Sequence, residues 1–505
     1  MLMNNLTKTP LCTPSAMWCE RLFTVACSAA ALQLAGCTVG PDYRRSEAPV
    51  VTSFTREPVN ALRTEAPSEI AADWWTAYGS PRINLLVSEA LRRNPNIEAG
   101  MASLGVAQEL VNAQKGLFYP SVQAGYSGNR QNSGNVLSSP LLASDSTLFS
   151  LHTAQLNVGF VPDVFGGNRR AVESLQASAT SQRFQLEALR TTLASNVVAA
   201  SIQEHFLAAQ IEIAQSAIRL AAEQLQQLIG LRAVGYSSGL DLAQQQVAFA
   251  QTAALLPPLQ KQIEQTRNLL AALCGHFPEQ QLPGEALDAI HAPAQLPAII
   301  PSSLVARRPD VQAAEEQLHA SNAQVGVAIA NRLPQISLSA NLTYSNSTLA
   351  GLLSNSNKSW GLLGGVMQPL LAGGALVARQ RGAEAGAQAA RAQYKNVVIT
   401  AFQNVADTLY AVETDGHALA AARDVEQASL QLATHTQRQL DAGYTSRLVF
   451  LAAQQSFLQA QLARVASDAT YLGDTVSLYQ ALGGGWHNLE GPAIAFSPYD
   501  IQTLN

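Results

Sequence analysis

The chain has 505 residues, of which 47% are hydrophobic and only 13% are charged, and its formal net charge is −5. Soluble globular proteins carry about 25% charged residues, and the negative balance argues against a nucleic-acid-binding surface. Outside the N-terminus there is no run of 18 apolar residues, so we expect no transmembrane helix in the mature chain.

The first residues are typical of a bacterial targeting segment. Arg21 precedes an apolar run over 22–34, which ends in Leu34-Ala35-Gly36-Cys37. This pattern predicts a signal peptide over 1–36 and a mature chain that begins with a lipid-modified Cys37. An ordinary signal peptide that happens to contain a cysteine is the alternative. Only Cys274 then remains, which excludes an intrachain disulfide and a paired-cysteine metal site.

The mature chain begins with an extended region and continues with helices. Residues 37–72 are rich in proline and show no periodicity, so we predict an extended arm that tethers the lipid. Residues 73–119 show the helical period, and Pro95 divides them into two helices.

Two segments, 120–161 and 334–369, then change to a period of two and predict two β-hairpins. Apolar residues face one way in each: Val122, Ala124 and Tyr126; Ala154, Leu156, Val158 and Phe160; Ile336, Leu338, Ala340, Leu342 and Tyr344. Strands of about ten residues with apolar and polar faces are typical of a transmembrane barrel. A soluble sheet with one wet face shows the same alternation. The targeting segment and the long polar loop favour the barrel.

A pair of very long helices follows each hairpin, over 162–274 and 370–482. Residues 171–231 contain no proline and carry a continuous apolar seam, and 60 helical residues span about 90 Å. Such rods suit the wall of a tube better than a globular core. Pro257-Pro258 predicts a kink in the returning helix. Residues 275–300 read as an irregular connection, 301–333 as helices, and 483–505 as a loosely structured tail.

The chain is internally duplicated, with two halves of about 210 residues in the same element order. Gly235-Tyr236-Ser237-Ser238-Gly239 and Gly443-Tyr444-Thr445-Ser446 are equivalent turns, and a heptad seam follows each one. A two-strand hairpin returns the chain to the side that it left, so both helical parts lie on one side of the membrane. Four strands cannot close a barrel without exposed edges. The strand count therefore predicts an oligomer.

Several motifs resemble the TolC-like outer membrane efflux proteins, specifically the lipoproteins that include OprM and NodT. They are Leu34-Ala35-Gly36-Cys37-Thr38-Val39-Gly40-Pro41-Asp42-Tyr43, Pro162-Asp163-Val164-Phe165-Gly166-Gly167-Asn168-Arg169-Arg170, Gln368-Pro369-Leu370-Leu371 and the two Gly-Tyr turns. The resemblance implies a mostly α fold with long coiled-coil hairpins and four transmembrane strands per chain. It also implies a homotrimer with a 12-stranded barrel, which works with a periplasmic adaptor and an inner-membrane pump. Thr38, rather than Asp, favours the outer membrane.

The resemblance also implies functional roles for the two turns, as periplasmic tips that dock the adaptor and restrict the pore. The adaptor-docking candidates are Arg232, Gly235, Gly239 and Gly443, and the gate candidates are Arg447 and Asp241. Plain turn chemistry explains the glycines equally well. Ala452 and Ala453 stand where many relatives place an acidic ring, which puts an aspartate gate in doubt.

The motifs offer no enzyme site. Gly235-Tyr236-Ser237-Ser238-Gly239 matches the nucleophile-elbow pattern, but that motif requires a preceding strand, and helices flank this one. No two histidines have ligand spacing and there is no phosphate loop, so we expect no cofactor apart from the covalent N-acyl diacylglycerol lipid on Cys37.

The sequence thus predicts a passive outer-membrane exit duct of a tripartite efflux pump for small toxic organics or drugs. A duct for protein secretion and a non-conducting coiled-coil lipoprotein scaffold are the alternatives.

Overall fold

A computed structural model describes residues 38–45, 53–56, 70–132, 148–280, 282, 290–293, 295–297 and 307–486. The predicted signal peptide, Cys37, most of the arm and 487–505 lie outside these residues. The chain divides into two compact units. The first holds Gln108–Ser178, Gln317–Ala390 and the chain up to Arg44, and the second holds the remainder.

The predicted order of helices and strands is observed. It begins with a 3-10 helix at Trp74–Tyr78 and continues with α1 (Pro81–Arg93), α2 (Pro95–Gly116), β1 (Ser121–Asn132), β2 (Leu148–Phe160), α3 (Gly167–Ala233), α4 (Gly239–Ala253), α5 (Leu256–Leu273), α6 (Pro309–Ala330), β3 (Gln335–Asn346), β4 (Lys358–Met367), α7 (Ala375–Asp441) and α8 (Arg447–Ala481). Helices α3 and α7 have 67 residues each. Among the described helices, none is both long and apolar enough to cross a membrane.

The sheet of the first unit contains four antiparallel strands in the order β1-β2-β3-β4. β1 and β4 are its edges. All four connections to helices leave from one end, which carries Ser121, Phe160, Gln335 and Met367, and which we call the helical end.

The second unit has a core of apolar side chains on the heptad seams. On α8, Leu451, Val465, Leu472 and Val476 are buried. The seam of α3 is buried in the same way, with Val197, Leu207, Ala214 and Ala221 among its least exposed residues. These burials follow the predicted three-four spacing, because residues three and four apart share one helix face.

The returning helix of the first half is interrupted where the sequence predicts it. α4 ends at Ala253 and α5 begins at Leu256, with proline in its first turn. Proline is tolerated there because the first amides of a helix have no intrahelical acceptor.

The expectation of a loosely structured tail from Gly483 onward is wrong for the described part. Gly483, Gly484 and Gly485 all adopt positive φ and are buried, and a Cβ on Gly485 would lie 2.2 Å from the carbonyl oxygen of Ala71. The Trp486 indole donates to the Arg307 carbonyl at 2.6 Å. Three consecutive glycines read as a flexible linker, but here they allow a close backbone approach.

Candidate functional site

The sheet of the first unit has one polar and one apolar face. Cross-strand register aligns Gln123, Asn157, Asn341 and Gly361 in one row, and Gly125, Gln155, Thr343 and Ser359 in the next. Because strand side chains alternate, both rows lie on the same face. Two apolar residues of β4 also lie on this face: Leu363, which pairs with Ser339, and Met367, which pairs with Gln335. This polar face is suited to contact with water.

The opposite face is apolar and exposed. One row contains Ala124, Leu156, Leu342 and Trp360, and a second contains Val122, Val158, Ala340 and Leu362. Trp360 is 69% and Leu362 is 76% exposed. A contiguous apolar surface of this kind marks a contact with lipid or protein.

Both edge strands of the sheet lack a partner within the described chain. β1 pairs only with β2, and β4 pairs only with β3. Unpaired edges expose backbone donors and acceptors, which is costly beside lipid. The backbone groups of β1 and β4 that face away from the sheet are therefore available to pair with further strands.

A cavity of about 630 Å³ lies beneath the helical end of the sheet, within the first unit. Leu117, Tyr119, Phe160, Val161 and Ile336 are among its lining residues. Tyr119 is 74% exposed and Leu117 is 60% exposed. We call this cavity the base pocket.

Residues 38–43 follow the predicted lipidation site and pack against the rest of the first unit. The amide of Val39 donates to the carbonyl of Phe165 at 3.2 Å. Gly40 approaches Gly326 so closely that a Cβ on Gly40 would lie 2.5 Å from the Gly326 Cα. The ring of Tyr43 stacks on His319 at 4.4 Å. The start of the arm is thus held by backbone and side-chain contacts together.

Arg170 is the charged centre of this docking. It is 4% exposed and its guanidinium donates to the carbonyls of Val39 and Gly40 and to the carboxylates of Asp42 and Glu173. A buried arginine is stable only when its donors are satisfied. The sequence resemblance included Arg170 in a motif but gave it no role.

The first turn joins α3 to α4, and a capping box defines its geometry. The Ser238 hydroxyl accepts from the Asp241 amide at 3.1 Å, and the Asp241 carboxylate accepts from the Ser238 amide at 2.9 Å. The Ser238 hydroxyl also lies 2.7 Å from the Asp241 carboxylate and donates to it, and this bond, followed by the one from the Ser238 amide, lowers the pKa of Asp241. Ser-x-x-Asp is a capping signature that the sequence already contained. The structure thus gives Asp241 a cap role within its own turn.

The glycines of the two turns differ in conformation. Gly235 and Gly443 have φ of 86° and 75°, so they use the left-handed region, whereas Gly239 is the first residue of α4 and is not among the positive-φ glycines. Tyr236 and Tyr444 are 84% and 86% exposed. Arg232 lies near the turn, with its guanidinium 3.8 Å from where a Cβ on Gly239 would stand.

Arg447 at the start of α8 has a partner that the sequence did not suggest. Its guanidinium donates to the Glu223 carboxylate on α3, with the Nε–Oε1 distance at 3.0 Å. Leu220, Phe450 and Leu451 form a buried cluster beside this pair. Arg447 and Asp241, proposed together as gate residues, therefore have separate partners within one chain. The pairing of Arg447 and Glu223 joins the two hairpins near their turns.

Two aspartates on α7 and α8 form a carboxyl pair that sequence reasoning missed. Burial raises the pKa of Asp474 to about 7, and a hydrogen bond with Asp415 adds to the shift. The Oδ2 atom of Asp474 is buried without a hydrogen-bond partner. No heptad or motif rule relates positions 59 apart on antiparallel helices, so the sequence held no signal for the pair.

The nucleophile-elbow match has a structural role. Ser237 and Ser238 lie between two helices, and Ser238 is the N-cap of α4. Within the described part of the chain, no group of three or more His, Cys, Asp or Glu side chains has metal-ligand geometry.

Comparisons with known proteins agree with this architecture. A family model described as outer membrane efflux protein matches residues 86–276 and 300–484. The antibiotic efflux pump outer membrane protein ArpC of Pseudomonas putida is 29% identical over 463 residues, 91% of this chain and 95% of that protein. The pyoverdine export outer membrane protein OpmQ of Pseudomonas putida strain KT2440 is 32% identical over 424 residues, 82% of this chain and 88% of that protein.

A solved structure extends the likeness to three dimensions. The outer-membrane channel OprN has a TM-score of 0.78 at 28% identity, and the match covers 89% of this chain and 100% of that one. These findings confirm the predicted fold, the efflux function and the outer membrane location. The chain belongs to the outer membrane efflux protein family.

Proposed function

We propose that three copies of this chain close one β-barrel in the outer membrane and form the exit duct of a tripartite efflux pump. The observation that carries the proposal is the sheet, with an exposed apolar face, a polar face and two unpaired edges. Four strands from each of three copies make a barrel of twelve, an even number within the range of outer-membrane barrels. The apolar face then contacts lipid and the polar face lines the lumen.

The orientation of the barrel in the outer membrane follows from the position of the helical end of the sheet. All four connections between strands and helices leave from this end, so they all emerge on the same side of the barrel. A lipid anchor on Cys37 faces the periplasmic leaflet, which makes that side the periplasm. The Gly-Tyr turns are then the periplasmic tips, where an adaptor protein docks and connects the duct to an inner-membrane pump.

The lipid anchor is supported by the docked arm. Val39, two residues after Cys37, bonds to Phe165, five residues after the end of β2. The described start of the arm therefore lies against the segment that follows β2, close in sequence to the strands that enter the membrane. Cys37→Ser should abolish incorporation of labelled palmitate into the mature protein, with Cys274→Ser as the control that retains the label. Label on Cys37→Ser protein would exclude the lipid anchor at this residue.

The cargo is a class of small organic molecules. The relatives ArpC and OpmQ are named for antibiotics and for pyoverdine, two different small molecules. Transport here is passive, because a polar face of Gln, Asn, Ser and Thr side chains offers weak contacts and no energy source. Selection among cargoes would then depend on the pump.

Single-channel recording in planar bilayers tests the duct. The wild-type protein should give discrete conductance steps. Asn341→Asp adds a negative charge to the polar face in every copy and should raise the permeability ratio of cations to anions. Asn96→Asp on α2 makes the same charge change outside the sheet and should leave the ratio unchanged. Inserted protein without conductance, or a ratio insensitive to position 341, would contradict the proposal.

A further inference from the structure

The segment that follows β4 contains two leucines that none of the described residues covers. Leu370 is 92% exposed and Leu371 is 93% exposed, which makes them the most exposed large apolar side chains of the described residues. The side chain of neighbouring Gln368 is held in place, because its side-chain amide donates to the backbone carbonyls of Arg332 and Pro369. We call Leu370 and Leu371 the dileucine knob. Two adjacent leucines held in water on a fixed backbone indicate a contact made only after assembly.

The base pocket lies beneath the start of β1, the end of β2 and the start of β3 of the same sheet, and so includes residues of the opposite edge strand. Leu117 and Tyr119 line it and directly precede β1, and both are largely exposed. Val161 also lines it and is 58% exposed. The pocket therefore has exposed apolar side chains next to the start of β1.

The direction of the strands determines how these two features meet when copies join. β4 runs toward the helical end and finishes at Met367, whereas β1 starts from the helical end at Ser121. Every neighbouring pair in the sheet is antiparallel. If β4 of one copy pairs with β1 of the next in the same manner, Met367 lies near Ser121 of that copy. The residues after Met367 then lie next to the residues before Ser121.

We propose that the dileucine knob of each copy inserts into the base pocket of the next copy and locks the oligomer at the helical end. This inference rests on the proposed assembly of copies and adds which residues hold it together. The lock is heterologous, because each copy supplies a knob at one edge and a pocket at the other. Such contacts close into a ring when the rotation between copies permits it.

The lock also accounts for the two glycines in the segment between β4 and α7. Gly373 and Gly374 adopt φ of 56° and 81°, and a Cβ at either position would meet no atom of the described residues within 4 Å. These glycines therefore serve a turn in the backbone and not a close approach within the chain. The turn holds the two leucines away from their own unit, where a neighbouring copy can reach them.

A disulfide between copies tests the proposed contact directly. In full-length protein, Tyr119→Cys combined with Leu371→Cys should give covalently linked chains on a non-reducing gel after mild oxidation. Neither single variant should do so. Cys274 is buried and should not interfere. Cross-linked chains in the double variant alone support the contact, and an absence of cross-links overturns it.

Paired serine substitutions measure the contribution of the knob. Leu370→Ser with Leu371→Ser should lower the ratio of trimer to monomer in detergent at least about tenfold, since two leucines lose their burial. The control pair is Leu349→Ser with Leu353→Ser, which are 62% and 74% exposed in the loop at the other end of the sheet. The control should leave the ratio unchanged.

The outcomes separate this inference from the proposed function. If the wild-type protein is a trimer but the knob variants match the control, the lock is wrong and the duct stands. If the wild-type protein is not a multimer under any extraction condition, the assembly itself is wrong, and the lock falls with it.

Discussion

The two halves of the chain share one order of helices and strands, but their long helices differ in how many side chains are buried within the described chain. Helices α3 and α7 have 67 residues each. On α3 the seam is buried through Val197, Val198, Ala214 and Ala221, each at 0% exposure. On α7 only nine residues are buried, and Ile399 is 67% exposed. A duplicated sequence therefore gives two helices of equal length, of which α3 is buried along its seam by the described chain and α7 remains largely exposed.

The largest expected effect comes from charging a buried apolar position on α3 and an exposed apolar position on α7. Val198→Asp should prevent folding of the chain, because an unpaired buried carboxylate costs more than about 4 kcal/mol. Ile399→Asp should leave the folded chain within about 0.5 kcal/mol of wild type, because its side chain is exposed there. It should nevertheless abolish assembly. Circular dichroism and the trimer fraction, measured together, separate the two results, and a stable Ile399→Asp trimer would show that α7 does not contact another copy.

The next effect concerns the two faces of the sheet. Leu342→Asp places a charge on the apolar face, at a cost of up to a few kcal/mol per chain near the middle of a bilayer. Ser339→Asp places the same group on the polar face and should be tolerated. The yield of assembled protein in the outer membrane measures the difference. Equal yields would mean that the apolar face does not contact lipid.

Arg447 tests the connection between the halves near the turns. Arg447→Ala breaks the pair with Glu223 and should raise the resting conductance, since charged hydrogen bonds of this kind contribute about 1–3 kcal/mol before screening by solvent is considered. Glu223→Gln should have the same effect and add nothing in the double variant. Arg423→Ala, whose partner Asp468 is on α8, is the control. Conductance unchanged in Arg447→Ala would remove the residue from the gate.

Loss of the contacts that hold residues 38–43 should have a local effect on proteolysis of this segment. Arg170→Ala removes donors to Val39, Gly40 and Asp42 and should free the segment after Cys37. Trypsin cleavage after Arg44 should then become at least about tenfold faster, because local opening needs less free energy. Arg183→Ala, on the same helix, should cleave at the wild-type rate. An unchanged rate for Arg170→Ala would mean that other contacts hold the arm.

The smallest effect is a pH dependence that only the second half should show. Burial raises the pKa of Asp474 to about 7. The position 208 residues earlier, in the first half, is Thr266, whose side chain does not titrate in this range. The folded chain keeps a proton that the unfolded chain releases, so the free energy of unfolding should fall as the pH rises from about 4 to about 7. Asp474→Asn should remove this fall and stabilise the protein at pH 8, as thermal unfolding would measure. The exposed Asp424→Asn is the control, and identical pH profiles for both variants would contradict the assignment.

The sequence was sufficient for most of the fold, because periodicity is a local property. The three-four seams, the alternation in β3 and the break at Pro257-Pro258 all depend on neighbours within a few residues. The capping box at Ser238 and Asp241 was also within reach of sequence rules.

Contacts between distant positions were not predictable in the same way. The partner of Arg447 is 224 positions away, and the contacts of Arg170 join residues up to 131 positions apart. Gly483, Gly484 and Gly485 look like a flexible tail because composition alone does not distinguish a linker from a close backbone approach. Each of these features depends on packing that only three-dimensional structure reveals.

Native mass spectrometry of the detergent-extracted mature protein tests the central claim, that the exposed face of α7 and the open edges of the sheet are covered by copies of the same chain. The account predicts a single species with the mass of three chains, and a loss of this species in Ile399→Asp. A wild-type protein that remains a monomer across detergents, while still folded and inserted in lipid, would contradict it.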